Sequence, residues 1–94
     1  MTILVTGSAG RIGSKVVHGL LEAGEAVTGF DLRASGIEHS AFREVTGSFD
    51  DRIAAAKASD GARAVLHLGA FMSWDPADVD RLHRANVEGT RIVL

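Results

Sequence analysis

The sequence comprises 94 residues, 46% apolar and 23% charged, with a formal net charge of −2. That balance is ordinary for a globular chain, and it excludes the strongly basic surface expected of a nucleic-acid or anionic-membrane binder. Cysteine is absent, which removes disulfides, thiolate metal sites and cysteine nucleophiles and leaves a reducing compartment as the default.

Met1 leads directly into "TILVT" (2–6) with no basic n-region, long apolar segment or small-residue cleavage site. Neither secretion nor a membrane span is therefore expected, and the cytoplasm is the expected location. "TILVT" itself reads as a short β-branched strand. After a glycine-rich turn, Ile12, Val16 and Leu20, with Val17 and Leu21 beside them, recur at helical spacing until Gly24. "AVTGF" (26–30) predicts a second strand ending at Asp31, and "RASGIEHSA" a loop. "REVTG" (43–47) predicts a weaker third strand, followed by an Ala-rich helix from about Asp50 to Ser59 that "DG" closes.

"AVLHLG" (64–69) predicts a fourth strand, whose near-continuous apolar character suits a sheet covered on both faces. A last helix is marked by Asp75 as N-cap, Pro76 at the first helical position and Asp78 at the positive end of the dipole. Val79, Leu82, Asn86, Gly89 and Val93 share one of its faces, and the stop at "TRIVL", with no cap or polar tail, reads as a cut through a helix.

Strands alternating with helices predict an α/β fold built from βαβ units, with a parallel sheet and right-handed crossovers. The expected architecture is one half of a doubly wound sheet and the start of the other, ending after the fourth strand and its following helix. No repeat, low-complexity tract or linker interrupts it. A chain of this length has little stability in reserve, and "VLHL" would form an apolar sheet edge that invites association.

"VTGSAGRIGS" (5–14) spaces Gly7, Gly10 and Gly13 where the first strand turns into the first helix. Backbone N–H groups and the positive end of a helix dipole then point toward one spot, which suits a phosphate. The glycines permit the turn, close approach of a pyrophosphate and tight helix-to-strand packing. Alone this spacing is a weak signal, since eleven glycines in 94 residues produce regular intervals by chance. Asp31 strengthens it: 18 residues after Gly13 (31 − 13), at the end of the second strand, a carboxylate can accept from adenosine ribose hydroxyls. It would also repel a 2′-phosphate, so NAD is expected rather than NADP, although the nearby Arg33 could accommodate that phosphate.

"TGSAGRIG", "FDLR", "TGSFDD", "HLGA" and "NVEGT" together give the chain its resemblance to the extended short-chain dehydrogenase/reductases, the NAD-dependent epimerase/dehydratase family. The likeness runs from Thr2 to Leu94 and implies a Rossmann-type fold. It implies that Gly7, Gly10, Arg11, Ile12 and Gly13 surround a pyrophosphate, with Asp31, Leu32 and Arg33 at the adenosine ribose. Ser48 stands where the family commonly has an Asp that reaches the adenine amino group, so Ser48 and Phe49 are expected to offer a hydroxyl and an apolar surface. Asp50 and Asp51 could substitute, but they read more simply as a helix N-cap and first-turn acid. Leu68, Gly69 and Ala70 match the segment beneath the pyrophosphate and nicotinamide ribose. Asn86 matches the family's "NxxGT" asparagine, either as a cofactor contact or as an amide satisfied by strand backbone.

Phe71, Met72 and Trp74 of "FMSW" line either a substrate pocket or an interface. His18, His39, His67 and His83 lack metal-ligand spacing, and neither a GxSxG elbow nor a P-loop occurs. No metal site and no catalytic residue is assigned. The sequence has no tyrosine, whereas the resemblance implies a downstream YxxxK pair, in which a nearby Lys lowers the phenol pKa for proton transfer. The implied protein transfers hydride at a hydroxyl-bearing carbon, of a sugar or nucleotide sugar, with the 94 residues holding cofactor and lacking complete chemistry. Its expected partners are the dinucleotide, a small-molecule substrate and, within the family, a second copy in a homodimer. The competing class is a non-catalytic dinucleotide-binding module for redox sensing or interaction.

Overall fold

The computed structural model of the chain describes residues 2–48, 50–69, 77 and 92. The first strand, β1 (Thr2–Thr6), leads through the glycine turn into helix α1 (Arg11–Glu22) and then into β2 (Val27–Asp31). A ten-residue irregular segment (32–41) connects to β3 (Phe42–Thr46), which is followed by α2 (Arg52–Ser59) and β4 (Ala62–His67). The strands form one sheet in the order β3-β2-β1-β4, and every pairing is parallel.

Each sheet face buries its own cluster because alternate residues of a strand point to opposite sides. Ile3, Val5 and Val27 meet Val17 and Leu21 of α1 on one face. Leu4 and Phe30 meet Ala55 and Ala58 of α2 on the other. The small alanines let α2 lie close to the sheet, and the ring of Phe30 fills the space beneath it. Thr28, fully buried in β2, and the carbonyl of Lys57 both accept from the Arg43 guanidinium, which ties β3 to α2.

The helices differ at their N-termini. Asp51 caps α2, its carboxylate accepting from Ile53 N–H (3.0 Å) and Ala54 N–H (3.2 Å). Asp50 lies before the cap and accepts instead from the Ser48 hydroxyl, so the first turn of α2 carries no acid. α1 starts from Gly10 with no side-chain cap and no acidic residue in its first turn.

β4 begins and ends two residues earlier than the apolar run 64–69, because the register with β1 runs from Thr2↔Ala62 to Thr6↔His67. Backbone pairing, not apolarity, sets its ends. It also departs from the expectation of a strand covered on both faces. β4 is the outermost described strand on its side, and Leu66, beside Val5 on the α1 face, stays 39% exposed because α1 packs over β1 and β2. The helix expected from Asp75 onward lies outside the described residues except for Ala77, in a 3-10 turn, and Ile92, which is helical and packs against the α2-side cluster.

Candidate functional site

The chain order places β2 and β3 on one side of β1 and β4 on the other. The carboxyl ends of β1 and β4 therefore flank the topological switch point, where a crevice opens in sheets of this kind. A cleft of about 540 Å³ lies there. The turn after β1 contributes Gly7, Gly10, Arg11, Ile12 and Gly13, the end of β2 contributes Asp31, Leu32 and Arg33, and the segment after β4 contributes Leu68 and Gly69.

The glycines are required by contact as well as by conformation. Gly7 has φ +72°, and a Cβ there would stand 2.9 Å from Gly69 N. A Cβ at Gly13 would overlap the carbonyl oxygen of Gly7, so the start of α1 rests directly on the turn. Gly7 N–H donates to Phe30 O (2.9 Å) and Gly10 N–H to Gly7 O (3.0 Å), which fixes the turn to β2 and folds it on itself. Ser14 N–H is the first to bond back along the helix, to Gly10 O (3.0 Å). The N–H groups of Arg11, Ile12 and Gly13 are thus left over at the positive end of the α1 dipole, beside the cleft.

Asp31 ends β2 with both carboxylate oxygens engaged by backbone. Oδ2 accepts from Ala9 N–H (3.0 Å) and Oδ1 from Leu32 N–H (2.7 Å). Each oxygen retains a second lone pair for a ligand hydroxyl. Arg33 donates to Ala9 O (3.3 Å), so Asp31 and Arg33 hold the same residue of the glycine turn, one by each side of its backbone. Ala9 has no functional side chain, and nothing in its identity marked it as the point where the second strand grips the turn.

Ile12, Leu32 and Leu68, 69%, 60% and 44% exposed, form the apolar rim of the cleft. Below them lie amide donors and one carboxylate. The combination suits a ligand that joins flat apolar groups through an anionic, hydroxyl-bearing linker. Ser48 does not line this cleft, its hydroxyl being directed to Asp50. Phe49, Ala70, Asn86 and the "FMSW" residues lie outside the described residues. Among the described residues no group of three or more His, Asp or Glu side chains could hold a metal ion, and no helix is long and apolar enough to cross a membrane.

A parallel sheet with a helix on each face and a glycine turn at its switch point defines a Rossmann-type α/β unit. The chain belongs to the NAD dependent epimerase/dehydratase family, whose description matches residues 3–94. It is similar to a short-chain dehydrogenase/reductase superfamily protein from Agrobacterium tumefaciens, solved with bound NAD, at 56% identity and a TM-score of 0.91 over 99% of this chain and 27% of that one. UDP-glucose 4-epimerase of Thermotoga maritima, solved with UDP-glucose, matches at 32% identity and a TM-score of 0.80 over 99% of this chain and 32% of that one. Sterol demethylase protein B of Methylococcus capsulatus is 35% identical over an alignment of 97 positions that covers 100% of this chain and 30% of the relative. The chain spans less than a third of the length of each of these three proteins.

Proposed function

We propose that residues 1–94 are an NAD-binding unit, and that the protein they serve transfers hydride at a hydroxyl-bearing carbon of a sugar or nucleotide sugar. The observation that carries this reading is the convergence of three leftover α1 N–H groups and the Asp31 carboxylate on one cleft. A pyrophosphate fits the amide donors and the uncompensated helix dipole, and the glycine backbone leaves the room that a Cβ at Gly7 or Gly13 would fill. Ribose hydroxyls fit the second lone pairs of Asp31. The NAD bound in the Agrobacterium relative and the UDP-glucose in the Thermotoga epimerase support the same choice of ligand and substrate class.

When bound, the nicotinamide would supply the hydride acceptor and donor. The residues of this chain bind and orient it. Arg11, Ile12 and Gly13 hold the pyrophosphate, Asp31 selects an unphosphorylated ribose, and Arg33 braces the turn through Ala9. Leu68 and Gly69 form the wall opposite α1, and Ala70 is assigned to the same set. Ser48 acts at most through Asp50, and Phe49 and Asn86 complete the proposed set. None of the 94 residues is a tyrosine, so these residues supply no phenol general base.

Calorimetric titration with NAD and NADP tests the reading. NAD is expected to bind more tightly than NADP, and Asp31→Ala to weaken NAD while narrowing the gap between the two. Equal affinity for both cofactors, unchanged by Asp31→Ala, would contradict it. If NAD binds but the complete protein shows no turnover, the alternative of a non-catalytic dinucleotide module is favoured.

A further inference from the structure

Thr6 and His67 end β1 and β4 side by side beneath the cleft, and neither is among the residues proposed to touch the dinucleotide. Thr6 is fully buried. Its Oγ1 accepts from Gly69 N–H at 3.1 Å and lies 2.6 Å from His67 Nδ1. A hydroxyl has one proton to give. With Gly69 donating to the oxygen, the hydroxyl can give that proton to Nδ1 when this nitrogen presents its lone pair; the ring is then neutral, with its own proton on Nε2. Burial acts in the same direction and lowers the pKa of His67.

The Gly69 nitrogen so held also stands where a side chain on Gly7 would have to go. Gly69 N is 2.9 Å, and its Cα 3.0 Å, from the point a Gly7 Cβ would occupy. The backbones after β1 and β4 therefore approach with no side chain between them, and the height of Gly69 sets where that wall of the cleft stands.

We propose that His67 is a positioning residue of the cleft: as a neutral acceptor at Nδ1 it orients the Thr6 hydroxyl, whose oxygen then holds Gly69 N–H against Gly7 and closes the cradle for the dinucleotide. The ligand in this statement rests on the NAD reading; the relay of bonds does not. A proton on Nδ1 would confront the Thr6 oxygen with two donors and oblige its own proton to seek another acceptor in a fully buried place. Gly69 would then be held less firmly.

The test combines ¹⁵N NMR of the His67 ring in the full chain with NAD titration of variants whose folding is checked by circular dichroism. At neutral pH Nδ1 is expected to show the shift of an unprotonated ring nitrogen and Nε2 that of a protonated one. Thr6→Val and His67→Leu are expected to weaken NAD binding about tenfold, the effect of losing one buried hydrogen bond. Thr6→Ser, which keeps the hydroxyl, and His67→Asn, which offers an acceptor oxygen near the position of Nδ1, are expected to stay close to wild type. The double variant Thr6→Val/His67→Leu is expected to be no weaker than Thr6→Val, because both changes break one relay.

A protonated Nδ1, or wild-type NAD affinity in folded His67→Leu, overturns the proposal. Should wild type itself fail to bind NAD, the proposed function fails, while hydrogen exchange at Gly69 still decides the relay. Slower exchange in wild type than in His67→Leu supports it, and equal rates overturn it.

Discussion

Gly13 has no room for a side chain, because a Cβ would strike the backbone oxygen of Gly7 and backbone cannot swing aside as a flexible side chain can. Gly13→Ala is expected to cost about 1–3 kcal/mol of stability, in the range of overpacking, and to abolish NAD binding as the turn shifts. Denaturant titration and calorimetry check the two parts. Ser8 predicts the opposite sign. Its side chain is fully buried over Gly29, and its Oγ has no hydrogen-bond partner among the described residues. Removing a buried, unsatisfied hydroxyl relieves a desolvation penalty, so Ser8→Ala is expected to stabilise by about 1 kcal/mol. In a thermal melt that gain is a rise in Tm of about 4–8 °C for a domain of this size. A lowered Tm would mean that the hydroxyl has a favourable partner. The spacing of Gly7, Gly10 and Gly13 was legible in the sequence because each glycine meets a steric demand. The link from Asp31 to Ala9 N–H was not, since any residue but proline has that N–H and only the folded turn selects which one is reached.

The two helices divide their work at the N-terminus. α2 has its first amides satisfied by Asp51, as a helix of purely structural duty should, whereas α1 leaves its own uncapped beside the cleft. The Asp50–Asp51 pair announced a helix start, but which carboxylate capped it depended on Ser48 drawing Asp50 aside. β1 matched its apolar run because it is central and paired on both sides. β4 did not, since its start at Ala62 follows the register with Thr2 and passes through the charged Arg63.

The β1–β4 pair also makes stability depend on pH. His67 is held below its ordinary value of 6.5 by burial, so the unfolded chain takes up a proton at a pH where the folded chain does not. This contribution is complete above 6.5 and is lost as pH falls from there through the folded value. Wild-type Tm is expected to fall between about pH 7.5 and about pH 5.5, and by less in His67→Asn, which has no imidazole to titrate. Equal falls in both proteins would show that His67 does not set the pH dependence.

At the scale of the whole molecule, the sheet order β3-β2-β1-β4 both makes the site and exposes an edge. The chain leaves β1 toward β2 and β3 and returns on the other side, which opens the crevice where the three segments of the cleft meet. The alternation of elements made this parallel architecture legible, and ten of the fourteen expected site residues line one cleft. The partnership of Thr6, His67 and Gly69 was hidden, because it joins positions 61 and 63 residues apart that only the β1–β4 register brings together. The same register leaves Leu66, 39% exposed, on the outermost described strand of that side, with Leu68, 44% exposed, just past its end. The 94-residue polypeptide is therefore expected to be marginally stable or to self-associate, with sedimentation velocity reporting concentration-dependent species. A strictly monomeric chain with a sharp, reversible thermal transition would count against that.

The glycine turn and Asp31 are proposed to hold the pyrophosphate and the adenosine ribose of one dinucleotide, and an NAD titration followed by backbone amide NMR is the sharpest check. Saturable shifts at Gly7, Gly10, Arg11 to Gly13, Leu32 and Gly69, all giving one dissociation constant, are expected. A saturable titration that leaves the α1 N-terminus and Leu32 unmoved, or no saturable binding at all, would contradict it.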